Sequence, residues 1–310
     1  DTATSSWGRF CIDFHPFLTY HRLIFMTDVG HKRAIGFVLG LIMVVLIIVI
    51  AGAVSSRVIE PPSDRVSVAA TIFPVADIVS QVAGDLVDVE LILDPGASPH
   101  TFELTPRKAT RLSNVDRIFA IGQGVDAWAM QVASISDADV VELDQYTTLI
   151  CEGTCDPHFW LSIPRVIELV DDIAIELATI DPDHADTFTK NAKNYIAELT
   201  DVHRTVDNIM LDAPSRDLIV FHDSWNYFAE AYGLKIRGTF EPSPGREPSP
   251  KSLAELEDLV TEYSINRVYK EPQLSDKTLE PFVNDQDVEI GILDPLGGVE
   301  DRTSYIDLMI

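Results

Sequence analysis

The chain has 310 residues, 46% of them hydrophobic, enough for more than one buried core and too apolar overall for a disordered polymer. Its 49 acidic and 23 basic residues leave a formal charge of -26, which repels phosphate backbones and excludes nucleic acid as a partner class. Most of that acidity reads as a solvated surface that keeps the protein soluble.

Residues 1–33 carry no periodic pattern and are expected to be cytoplasmic or untranslated, since Met26 offers a more natural start; Cys11, His15 and His21 receive no role. From Ala34 to Val54 no charged residue occurs. A helix of that length spans roughly 32 Å, enough to cross a hydrocarbon core of about 30 Å. His31, Lys32 and Arg33 precede it, so the rest of the chain is expected outside the membrane, anchored by this helix. Ala51-Gly52-Ala53 also fits a cleavage site, which would instead release a secreted or periplasmic protein. Residues 55–65, with Pro61-Pro62, read as a stiff linker.

From Val66 onward, apolar runs alternate with helical periodicity. Strands are expected at Val66–Ile72, Val87–Leu93, Val115–Ile121 and Ala138–Leu143. The intervening helices are one opened by Pro74 and stopped by Gly84, then Pro106–Asn114 and Val125–Ser134. A helix follows Pro164 and ends near Ile180. Asp181-Pro182-Asp183 then starts a long one whose Phe188, Ala192, Tyr195, Ile196, Leu199, Val202, Val206, Ile209 and Met210 keep three-and-four spacing through Asp212. A second series places strands at Leu218–Phe221, Leu234–Phe240, Asn266–Tyr269 and Val288–Leu293, with helices at Ser224–Tyr232, Pro250–Tyr263 and Asp276–Asn284. The expected fold class is therefore α/β, with two lobes of mostly parallel sheets (66–183 and 213–310) joined by one long rigid helix (184–212), plus the N-terminal transmembrane helix.

In open α/β sheets, ligands gather beyond the carboxyl ends of the strands. His100, His158, His222 and Asp294 all fall there, two from each lobe, and three imidazoles with one carboxylate make a complete tetrahedral zinc set. Pro99, Pro157 and Pro295 stiffen the backbone beside three of them. Glu103 and Asp223 are candidate partners for imidazole N–H groups. His184 and His203 are expected to face solvent. Gly122-Gln123-Gly124 lacks the third glycine of a dinucleotide fingerprint. A zinc hydrolase is the opposing reading, but it needs an open coordination position and a general base, and no H-E-x-x-H accompanies this set.

The segments VAATIFPVADIVSQVAGD, SPHTFELTP, DPHFWLS, VFHDSWNYFAEAYGL, EPSPKSL and LDPLG resemble, in this order, those of the zinc- and manganese-binding receptors of ABC transporters. The resemblance implies two lobes joined by a rigid helix, with a metal held between them by His100, His158, His222 and Asp294. It also implies a permease and an ATPase as partners; the receptor is expected to be monomeric, and four protein ligands closing the metal shell predict binding without turnover. A histidine at the third ligand position is similar to the zinc receptors rather than those for Mn2+ or Fe2+, in keeping with imidazole's preference for borderline ions. Related receptors are also displayed as surface adhesins, a further reading.

Two departures accompany the resemblance. Many such receptors carry a histidine-rich loop before the second ligand, where this chain has Cys151-Glu152-Gly153-Thr154-Cys155; outside the cytoplasm these cysteines are expected to form a disulfide that pins the His158 loop. The family also continues through a final helix, so an ending at Ile310 implies a truncated C-terminal lobe.

Overall fold

The computed structural model describes residues 42–43 and 65–310, except 242–245, 247, 275–276, 278 and 300–301. The expected membrane segment, apart from the exposed helical pair Ile42 and Met43, lies outside the described residues, as do the linker, Cys11, His15 and His21. Among the described residues no helix is long and apolar enough to cross a membrane.

The first sheet contains β1 (Ser67–Ala70), β2 (Asp88–Leu91), β3 (Arg117–Ala120) and β4 (Asp139–Glu142), ordered β2-β1-β3-β4 and parallel throughout. Successive side chains leave opposite faces. Val68, Ala70 and Phe119 therefore enter the main core, while Ala69, Ile118 and Ala120 join Leu112 and Val132 on the other side. Both faces are covered by α1 (Phe73–Ala83), α2 (Pro106–Arg111) and α3 (Ala129–Ser136), as a parallel sheet requires. Pro74 sits in the first turn of α1, where its missing N–H costs nothing, and Gly84 ends it at φ 61°.

The second sheet contains β7 (Asp217–His222), β8 (Lys235–Glu241), β9 (Arg267–Lys270) and β10 (Glu289–Ile292), ordered β10-β9-β7-β8 and again parallel. Helices α6 (Asn226–Tyr232), α7 (Pro250–Glu262) and α8 (Leu279–Gln286) connect these strands. Ile219, Phe221, Phe240 and Val268 pack under α7 and α8, while Val220 turns to the opposite face.

Between the sheets run α4 (Ile163–Ile180) and α5 (Ala185–Leu211). The 27 residues of α5 measure roughly 40 Å. Its buried stripe of Phe188, Ala192, Tyr195, Leu199 and Val206 lies in one apolar cluster with Val68, Leu169, Val220, Tyr227 and Tyr305. That cluster passes from the first lobe into the second without interruption. A short helix, α9 (Tyr305–Met309), closes against it, and the Tyr305 hydroxyl donates to the Trp160 carbonyl at 2.7 Å. His184 is exposed and bonded to Asp181, whereas His203, expected at the surface, is half-buried with Nδ1 3.1 Å from the Tyr232 hydroxyl.

Cys151 and Cys155 are disulfide-bonded across a small antiparallel hairpin, β5 (Cys151–Glu152) and β6 (Thr154–Cys155), in which Gly153 turns at φ 87°. This hairpin is absent from the sequence reading, because two-residue strands leave no periodicity to detect.

Phe188→Ala is expected to destabilise the fold by about 3–5 kcal/mol in chemical denaturation, because the residue is completely buried at the junction of α1, α4 and α5. In a Cys11→Ser chain purified in air and unfolded, Ellman's reagent is expected to find no thiol before reduction and both Cys151 and Cys155 after it. Two thiols before reduction would contradict the bridge.

Candidate metal centre

His100 belongs to a single tight turn, Pro99–Thr101, entered through extended Ser98. Trp128 Nε1 fixes this turn by donating to the Pro99 carbonyl at 3.1 Å. His158 begins the turn Phe159–Leu161 ahead of α4, and His222 is the last residue of β7. All three converge beyond the carboxyl ends of the sheets. Ring centroids lie 6.3 Å apart for His100 and His158, 5.3 Å for His100 and His222, and 5.1 Å for His158 and His222. One donor nitrogen from each ring lies within 4.8 Å of the other two. Nitrogens about 2.1 Å from a tetrahedral zinc ion stand about 3.4 Å apart, so a small inward movement of loops would close the group.

The second nitrogen of each inner imidazole is engaged. His158 Nδ1 stands 2.7 Å from Asp156 Oδ1, which also accepts the His158 backbone N–H at 2.9 Å. His222 Nδ1 is 3.4 Å from Glu271 Oε1, and the Ser224 hydroxyl donates to that same oxygen at 2.7 Å. A carboxylate on Nδ1 holds the ring in the tautomer whose Nε2 lone pair is free. Burial alone would raise the Asp156 pKa, but hydrogen bonds and attraction from His158, with a bond from Asn226, hold it below the ordinary carboxylate value. Desolvation in the cleft, reinforced by repulsion from His222 and His158, lowers the His100 pKa to about 4, although the residue as a whole remains solvent-accessible. Its ring is therefore neutral at neutral pH.

The residues expected to orient the imidazoles are placed elsewhere. Glu103 is exposed and does not line the histidine pocket. Asp223 is also exposed; its Oδ1 accepts from Asn226 Nδ2 at 2.9 Å, because the turn after β7 points it away from the rings. Asp156 and Glu271 face His158 and His222 instead. Glu271 is the first residue after β9, the same strand-end position that singled out the histidines, and Asp156 lies two residues before His158. Both signals were present in the sequence.

Asp294 stands apart from the mutual group of three imidazoles. It is 5% exposed, and its Oδ1 accepts from Gln273 Nε2 at 2.7 Å and from the backbone N–H groups of Leu296 and Gly297 at 3.0 and 3.1 Å. Its Oδ2 meets Arg302 at 3.5 Å. The neighbours Gln273, Pro295 and Leu296 line the histidine pocket, together with Trp160. Asp294 itself lines a separate cavity of 430 Å³ between the end of α5, β10 and α9, which contains none of the three histidines.

Three imidazole nitrogens within 4.8 Å of one another, with a carboxylate behind two of the rings, suit a divalent borderline cation. Among curated relatives, the zinc-binding lipoprotein AdcA of Streptococcus pneumoniae is 28% identical over 269 residues, 79% of this chain and 54% of that protein. The chain thus spans about half the length of that relative. The manganese-binding lipoprotein MntA of Bacillus subtilis is 31% identical over 229 residues, covering 71% of this chain and 75% of that protein. A crystal structure of ZnuA superposes with a TM-score of 0.72 at 31% identity, covering 79% of this chain and 96% of that one. Residues 68–310 match the family described as ZnuA, zinc-uptake complex component A, periplasmic. That match, over most of the chain, places it in the ZnuA family of metal-binding proteins.

Proposed function

We propose that the chain is an extracytoplasmic zinc receptor that captures the ion between its lobes and delivers it to an ABC permease driven by an ATPase. The observation that carries this reading is the approach of one nitrogen from each of His100, His158 and His222 to within 4.8 Å of the others. An all-imidazole group favours zinc, whereas manganese prefers oxygen donors. The N-terminal apolar segment would supply the membrane anchor or, after cleavage, the export signal.

In this reading the three imidazoles form one face of a tetrahedron. Asp294 supplies the fourth donor through Oδ2, whose contact among the described residues is Arg302 at 3.5 Å, once the loop after β10 closes on the ion. Glu271 stays on His222 and Asp156 on His158, offsetting the positive charge. A shell closed by four protein donors leaves no position for an activated water, which suits carriage rather than turnover. The apolar cluster shared by both lobes makes loop adjustment the mode of closure, rather than wide hinge motion.

His222→Ala is expected to weaken zinc binding by more than the about 10–100-fold typical of losing an orienting partner, in titrations against a competing chelator. Undiminished binding would remove the imidazole group from the function. Zinc is expected to outcompete manganese in the wild-type chain; the reverse order would make this a manganese receptor. Glu271→Gln keeps an oxygen for the Ser224 hydroxyl but removes the charge facing His222, and is expected to cost about 10–100-fold in zinc affinity. Asp294→Asn is expected to weaken zinc less than His222→Ala does, and an unchanged affinity would assign the fourth position to a donor other than Asp294.

A further inference from the structure

The imidazole of His158, in the first lobe, is held by a chain of hydrogen bonds that begins in the second. Tyr227 on α6 is completely buried, yet its hydroxyl has two backbone partners across the lobe boundary. It accepts the Ile150 N–H at 2.9 Å and donates to the Asp156 carbonyl at 2.7 Å. The Asp156 N–H in turn donates to the Ile150 carbonyl at 2.9 Å. These bonds close the neck of the loop 150–156, and the Cys151–Cys155 bridge closes the adjacent rung, one residue further in on each strand, with Gly153 at the tip. The preceding residue on α6, Asn226, reaches the same loop, its Nδ2 donating to Asp156 Oδ2 at 3.1 Å. The other carboxylate oxygen of Asp156 takes both the backbone N–H and Nδ1 of His158.

Phenylalanine would fill the same apolar volume as Tyr227. It would leave the Ile150 N–H without its acceptor and the Asp156 carbonyl without its donor, and buried backbone groups rarely go unpaired. The hydroxyl thus does something packing does not require. Its two bonds join α6 to the backbone that carries the Asp156 carboxylate, and that carboxylate meets the His158 ring.

We propose that Tyr227, with Asn226 beside it, is a positioning residue for metal capture, clamping the neck of the His158 loop from the opposite lobe while the disulfide clamps the rung next to it. Because both clamps restrain one short segment, their effects on affinity are not independent. The inference rests on the metal-binding reading of His158 and adds residues that do not touch the ion.

The test uses the full chain and zinc alone, titrated against a competing chelator, with Trp160, whose ring centroid is 5.2 Å from that of His158, as fluorescence reporter. Tyr227→Phe and Asn226→Ala are each expected to weaken zinc by about 10–100-fold, the usual cost of losing a partner that orients a ligand. Combining Tyr227→Phe with Cys151→Ser/Cys155→Ser is expected to give a loss that departs from the product of the separate losses. Melting of the metal-free proteins separates positioning from folding. Variants that melt earlier but bind zinc within about twofold of wild type, the scatter of independent sites, would make Tyr227 merely structural and overturn the proposal. Losses that multiply would overturn the shared clamp. A wild-type chain that takes up no zinc would sink the metal-binding reading itself, and this inference with it, whereas normal wild-type uptake with unaffected variants sinks the inference alone.

Discussion

A single apolar cluster, continuous from Val68 in the first sheet through the stripe of α5 to Val220 and Tyr305 beside the second, sets the distance between the two halves of the site. Close-packed interiors do not deform gradually. The strand ends beneath the three histidines are therefore held at nearly fixed separation. Were the lobes joined by a flexible linker, bringing the three imidazoles together would cost further conformational entropy.

Polar contacts reinforce the same joint. Trp160, directly after the His158–Phe159 pair, donates through Nε1 to the Pro295 carbonyl at 2.8 Å and receives the Tyr305 hydroxyl on its own carbonyl. Tyr227 and Asn226 add the contacts to Asp156. The loop that carries His158 belongs by sequence to the first lobe, but its hydrogen-bond partners belong largely to the second. Orientation of an inner imidazole is thus a property of the joint. A carboxylate stands behind each inner ring at Nδ1, and the lowered pKa of His100 keeps the outer ring neutral.

Much of the architecture was legible in the chain itself. Each strand of the two sheets was expected within a few residues of its observed limits, because fully covered parallel strands are continuous apolar runs between turn residues. The long helix ends at Leu211, one residue from its expected end, since its three-and-four spacing persists for seven turns. Elements with little local signal were less legible. The Cys151–Cys155 hairpin is too short for a pattern.

Chain order and apolar pattern alone determined that His100, His158, His222 and Asp294 would all follow strands, because a parallel sheet sends every connection out on the same edge. Which side chains face one another was decided by tertiary structure. Three imidazoles come together while Asp294 turns its Oδ1 to the N–H groups of Leu296 and Gly297, and Asp156 and Glu271, rather than Glu103 and Asp223, meet the rings. The reason is one of scale. Secondary structure depends on periodicities read within a few residues, whereas the direction of a side chain beyond a strand depends on loop torsions and on groups as distant in sequence as Tyr227 and Ile150.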